Sequence, residues 1–63
     1  MNFYTVIGKD NHCHWINLKT IILVEFDDDV KEIIFDGIIR IMMEEKDYAK
    51  TRKKLLKEMF KLP

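Results

Sequence analysis

From Phe3 to Met43 apolar residues fall in short runs, with a period of two carried by Ile16, Leu18, Ile22, Val24 and Phe26, and after Met43 they recur at spacings of three, four and seven. A period of two sends alternate side chains to opposite faces of a strand, whereas the longer spacings line one side of a helix. "FYTVI" (3–7) is aromatic and β-branched and predicts a first strand, closed by the turn residues of "GKDN" (8–11). A second strand region begins around His14 and runs through "WINLKTIILVEF", in which Ile16, Leu18, Ile22, Val24 and Phe26 share one parity with Thr20 between them. That run is long for one strand, so a bend or short turn near "NLKT" is expected to divide it. "DDDVK" (27–31) reads as a polar loop. In "EIIFDGIIRIMM" (32–43), Asp36-Gly37 fits a type I′ hairpin turn, which needs positive φ at both central positions. A single strand kinked at Gly37, as where a small barrel turns a corner, is the competing reading.

After Met43 the pattern changes. "EEKDYAKTRKKLLKEMFK" (44–61) is rich in helix formers, and Tyr48, Leu55 and Met59, with Ala49, Leu56 and Phe60 beside them, form one apolar stripe. Early Glu44, Glu45 and Asp47 and later lysines complement the helix dipole. The expectation is a mainly β fold in a single domain (1–63), with four or five short strands (1–43) followed by one C-terminal amphipathic helix (44–61).

Apolar residues are in surplus for such a fold. Ile33, Phe35, Ile39, Ile41 and Met43 share one parity, yet Ile34, Ile38 and Met42 occupy the other, and Ile21 and Leu23 oppose Ile22 and Val24. An antiparallel sheet with one wet face alternates more cleanly. The helix can cover one face, so the remainder points to homo-oligomerisation; the alternative is a monomer whose helix and tight sheet bury everything.

Length sharpens that point. A chain of 63 residues buries only about 60% of its unfolded surface, so disulfides, a metal or association usually help. Cys13 is the single cysteine, which removes an intramolecular disulfide and fits a reducing compartment. No charged segment leads into an apolar one at the start, and the apolar runs are broken by charges, so export and membrane insertion are not expected. A cytoplasmic location is. Net charge is zero but uneven: residues 1–49 carry 5 basic against 10 acidic side chains, and residues 50–63 carry 6 against 1. This asymmetry marks either a surface facing nucleic acid or a partner, or a solvated helix face.

The candidate chemistry centres on "HCHW" (12–15). On a strand, His12 and His14 share one face and Cys13 takes the other, so one strand supplies two zinc ligands at best, and the sequence offers no second cluster. No metal site and no cofactor are expected. A Cys–His nucleophile pair lacks a third group to orient the base, so no catalytic residues are assigned. "DDDVKE" lacks the spaced ligands of a calcium loop and reads as solvated. Recognition is the better use of "KDNHCHWIN": Lys9, Asn11, His12, His14, Trp15 and Asn17 combine a base, amides, imidazoles and an indole beside a turn, groups that stack on nucleobases and bond phosphates. Trp15 serves equally as a core or interface anchor. Arg52, Lys53, Lys54 and Lys57 are expected on the helix face opposite the docking stripe, where they can meet phosphates.

Short bent strands, an apolar surplus and minimal length together resemble the Sm-like (LSm) proteins, small five-stranded barrels that assemble into rings and bind RNA. In particular the chain looks like the compact phage-associated Sm-like proteins of marine sequence collections. The resemblance covers roughly residues 1–43, with the helix at the C-terminal rather than the usual N-terminal end. The family's Asp/Asn loop near the end of the second strand is echoed only in Asn17. Its Arg-Gly signature after the fourth strand is absent, because Gly37 precedes Arg40. The family's pocket is therefore not carried over residue by residue. A second likeness is to the strand–strand–hairpin–helix pattern of small bacterial regulatory and phage accessory proteins, shared in "INLKTI…IIFDG". The resemblance implies a small SH3-like or Sm-like barrel with one C-terminal helix, forming a homo-oligomeric ring that binds RNA or single-stranded nucleic acid without catalysis. The rival expectation is a protein-interaction or structural module.

Overall fold

A computed structural model describes residues 3–61. Five strands precede one helix: β1 (Phe3–Ile7), β2 (Cys13–Asn17), β3 (Val24–Asp27), β4 (Glu32–Phe35), β5 (Ile39–Met42) and α1 (Glu45–Lys61). They form two antiparallel sheets, β1-β2 and β3-β4-β5. The protein is thus small and mostly β, with a C-terminal helix.

Each turn has a local cause. At "GKDN", Gly8 N–H donates to His12 O (3.0 Å), Asn11 N–H donates to Gly8 O (2.9 Å), and Asn11 sits at φ 68°. This is a tight turn followed by a left-handed residue, a conformation that asparagine tolerates. Asn17 makes the "NLKT" turn: its carboxamide accepts from Lys19 N–H (3.1 Å) and its carbonyl accepts from Thr20 N–H (3.2 Å). The long apolar run is divided there, as expected from its length. Asp27 caps the acidic loop by accepting from Asp29 N–H (3.0 Å) and Val30 N–H (3.2 Å). Asp36 and Gly37 have φ of 53° and 72°, and Ile38 N–H donates to Phe35 O (3.1 Å). The hairpin reading of "DG" therefore holds, and the kinked-strand alternative does not.

The core lies where the two sheets and the helix meet. Val6, Ile16, Leu18, Ile33, Phe35, Ile41, Met43, Tyr48 and Leu55 are buried there, with Tyr4, Ile21, Val24 and Phe26 packed against them. Register explains the central place of β4: Phe26 and Ile41 flank Ile33 on one face, while Glu25 and Arg40 flank Ile34 on the other. All four β4 residues are buried, including Glu32, whose carboxylate accepts from Arg40 (3.2 Å). The two sheets touch at Gly8. A Cβ there would lie 3.2 Å from Ile41 Cγ2 and 3.4 Å from Met42 O, and the next residue, Lys9, donates its N–H to Met42 O (2.6 Å).

Four expectations need correction. Ile22 does not join Ile16 and Leu18 in the core; it is 94% exposed, because the turn at Asn17 breaks the parity of the run. On the helix, Phe60 is 88% exposed and Ala49 is exposed, so the buried stripe is narrower than the sequence suggests. Arg52 lies on the docking side rather than opposite it. It falls between Tyr48 and Leu55, its guanidinium packs 5.1 Å from the Phe26 ring, and Nε sits 3.5 Å from Asp28 Oδ1 as an ion-pair contact. The helix begins one residue later than expected, with Glu44 O accepting from Tyr48 N–H (2.8 Å).

Candidate nucleic-acid interface

The β1-β2 hairpin has an inner and an outer face. In its register, Ile7 pairs with Cys13 and Thr5 with Trp15. Strand parity then turns Tyr4, Val6, His14 and Ile16 inward and Phe3, Thr5, Ile7, Cys13 and Trp15 outward. The outer face holds a pair of exposed aromatics, Trp15 (74% exposed) and Phe3 (55%), with ring centroids 6.4 Å apart and planes tilted by 55°. A solvent-facing aromatic pair offers bare π-surface at a site where burial would be favourable.

Charged residues flank this face on both sides, with lysines in excess on the β1 side and the two signs balanced on the β2 side. Along the free edge of β1 runs a trough lined by Tyr4, Thr5, Ile7, Lys50 and Lys54, with Asp47 at one point. Burial raises the Tyr4 phenol above its ordinary pKa, and the charge of Glu58 adds to that. Beside β2 lies a cleft of about 440 Å³ lined by Lys9, Asp10, His14, Glu32, Arg40 and Met42. Within the turn that borders it, Asp10 accepts from His12 N–H (3.1 Å) and its other oxygen lies 3.1 Å from His12 Nδ1.

The residues singled out from sequence are thus divided by the hairpin. Lys9 and His14 face the cleft, Asn11 and His12 form its turn, and Trp15 stands on the outer face. Asn17 spends its carboxamide and carbonyl on its own turn. Lys53, Lys54 and Lys57 are exposed on α1, whereas Arg52 is engaged by Asp28 and Phe26. Phe3, Lys50 and Arg40 were not picked out by sequence reasoning. Phe3 pairs with Asn17 about a turn centred on Asp10, one half-residue beyond the centre of "GKDN", and this register sets it diagonally to Trp15. Lys50 stands four residues before Lys54, one helical turn away.

A separate latch fixes the helix to the acidic loop. Tyr48 OH donates to Asp28 Oδ1 (2.5 Å), Lys31 donates to the Asp28 carbonyl, and Lys31 Nζ lies 5.7 Å from the Tyr48 ring centroid. Burial and the Asp28 carboxylate push the Tyr48 phenol up to about 12, with Arg52 opposing. Among the described residues, no three His, Cys, Asp or Glu side chains are placed to hold a metal ion. No described helix is long and apolar enough to cross a membrane.

No protein-family model, curated protein or solved structure matches this chain.

Proposed function

We propose that the protein is a non-catalytic binder of RNA or single-stranded nucleic acid, of Sm-like type, acting in the cytoplasm as a homo-oligomeric ring. The observation that carries this reading is the exposed Phe3–Trp15 pair on the outer face of the hairpin whose β1 residues Thr5 and Ile7 line the trough of Lys50 and Lys54. Stacking on aromatic rings is worth about 1–3 kcal/mol per base and tolerates any base, while flanking cations neutralise phosphates. An unpaired strand crossing the hairpin would meet both. A duplex keeps its bases inside and would forgo the stacking, so the arrangement favours single strands. Five short strands around one core, with sheet edges at β1, β2, β3 and β5, are compatible with a barrel-like subunit that completes its sheets with neighbours. Ring symmetry would repeat the platform and raise avidity. Titrating the protein with a fluorescent oligonucleotide at several salt concentrations tests the reading: binding that weakens steeply with salt supports it, and salt-independent or undetectable binding rejects it.

A protein-interaction or structural module is the second reading. It is favoured by exposed apolar residues away from the first hairpin, notably Ile22 on the β2–β3 connection and Ile38 after the β4–β5 turn. It predicts no response to oligonucleotides.

A further inference from the structure

Exposed aliphatic side chains meet where the β2–β3 connection is tied to the β4–β5 turn. Ile22 (94% exposed), Leu23 (50%), Ile38 (80%) and Ile39 (37%) come from two segments that are remote in sequence. The Asp36 carboxylate ties them together, accepting from Ile22 N–H (2.8 Å) and Leu23 N–H (3.0 Å), while Asp36 N–H donates to Leu23 O (2.7 Å). Next to Ile22 a groove of about 130 Å³ opens, lined by Leu18, Ile21, Ile22, Val24 and Met59. Phe60, 88% exposed, follows Met59 on the last turn of the helix.

We infer that this patch is a two-fold interface between two copies of the chain. Charge argues for it first. Across residues 20–24 and 35–39 the one charged side chain is Asp36, and its carboxylate already serves two backbone amides. Covering the patch therefore strands no unpaired charge, the usual obstacle to burying a surface. Area argues for it second. The exposed parts of Ile22, Leu23, Ile38 and Ile39 amount to roughly 500 Å² per copy, a contact smaller than the ~800 Å² per partner of a standard interface and extended by the groove beside Ile22. An apolar patch of roughly 500 Å² is of the size that commonly serves an interaction. Shape argues third, because a protruding isoleucine beside a groove on the same patch is what a self-complementary contact needs: each copy inserts into the other and receives it. The interface is independent of nucleic-acid binding. Ring closure uses head-to-tail contacts, so a two-fold patch would join two subunits or two rings face to face.

The test is solution mass by light scattering on size exclusion, over a dilution series, for the wild type and the double variant Ile22→Asp, Ile38→Asp. Both positions are largely exposed, so the fold should survive, with far-UV circular dichroism as the check. If the aspartates unfold the chain, the milder Ile22→Ser, Ile38→Ser pair provides the same readout. The expected result is an even number of chains in the wild type and half that mass in the folded variant. A monomeric wild type, an odd number of chains, or a folded variant of unchanged mass overturns the inference. Oligonucleotide binding measured on the same samples reports separately on the nucleic-acid reading.

Discussion

Replacing Asp36 tests how this small chain holds its β2–β3 connection. Asp36 does two jobs at once: it sits at φ 53° in the hairpin turn, and its Oδ1 accepts both Ile22 N–H (2.8 Å) and Leu23 N–H (3.0 Å). Hydrogen bonds to a charged acceptor contribute about 1.5–3 kcal/mol each, and partial exposure puts these at the low end, about 3 kcal/mol together. An alanine at left-handed φ costs roughly 1 kcal/mol more. Asp36→Ala should therefore destabilise by about 4 kcal/mol, a large share of the ~3–9 kcal/mol expected for a domain of this size. Asp36→Asn keeps the acceptor oxygen and tolerates the backbone, so it should lose about 1 kcal/mol. Asp36→Gly relieves the backbone but loses both bonds, and should fall between them. Urea unfolding followed by circular dichroism at fixed protein concentration gives the three values. An alanine variant within about 0.5 kcal/mol of wild type would refute the reasoning, as would a glycine variant as stable as the asparagine one.

Further outcomes separate other parts of the account. Gly37→Ala should cost about 1 kcal/mol from its φ of 72° alone, because no atom lies within 4 Å of the added Cβ, whereas Gly8→Ala should cost about 1–3 kcal/mol by pressing on Asp10 and Ile41; urea midpoints compare them, and equal insensitivity at Gly8 would deny the close sheet contact. Tyr48 is held protonated in the folded state, its pKa raised to about 12 from 10, so its contribution is fully present below pH 10 and is lost as pH rises toward 12. That contribution is about 3 kcal/mol at most; the stability gap between wild type and Tyr48→Phe should shrink across this window, and a constant gap would contradict the latch. Trp15→Ala should leave folding stability within about 0.5 kcal/mol, since the ring is mostly exposed, yet weaken oligonucleotide binding by about 1–3 kcal/mol. Lys50→Ala and Lys54→Ala should each lower the salt slope of binding by about 1, and an unchanged slope would remove them from the phosphate path.

Period and turn chemistry carried most of the fold. The aromatic and β-branched residues at 3–7, the turn residues at 8–11 and the Asp-Gly pair act locally, and local causes are visible in one-dimensional sequence. Ile22 shows where this stops. Its parity with Ile16 and Leu18 is real in the sequence, but the Asn17 turn resets direction, and Ile22 is then held at the surface by Asp36, fourteen residues away. Arg52 is similar: a basic residue in a basic run looked like part of the solvated face, yet Asp28 and Phe26 reach it from the sheet side. At the candidate site, Trp15 and the helix lysines were legible from residue type. Phe3 needed the hairpin register, and Arg40 needed the fold to bring β5 beside the first hairpin.

The most direct measurement for the central claim is Trp15 fluorescence during titration with a single-stranded oligoribonucleotide, repeated over a salt series and with the matching duplex. Trp15 is the chain's one tryptophan, so the signal reports from the proposed platform itself. Saturable quenching by the single strand, an affinity falling steeply with salt, and much weaker quenching by the duplex are expected. Unchanged fluorescence with the single strand, or equal quenching by both forms, would contradict the claim.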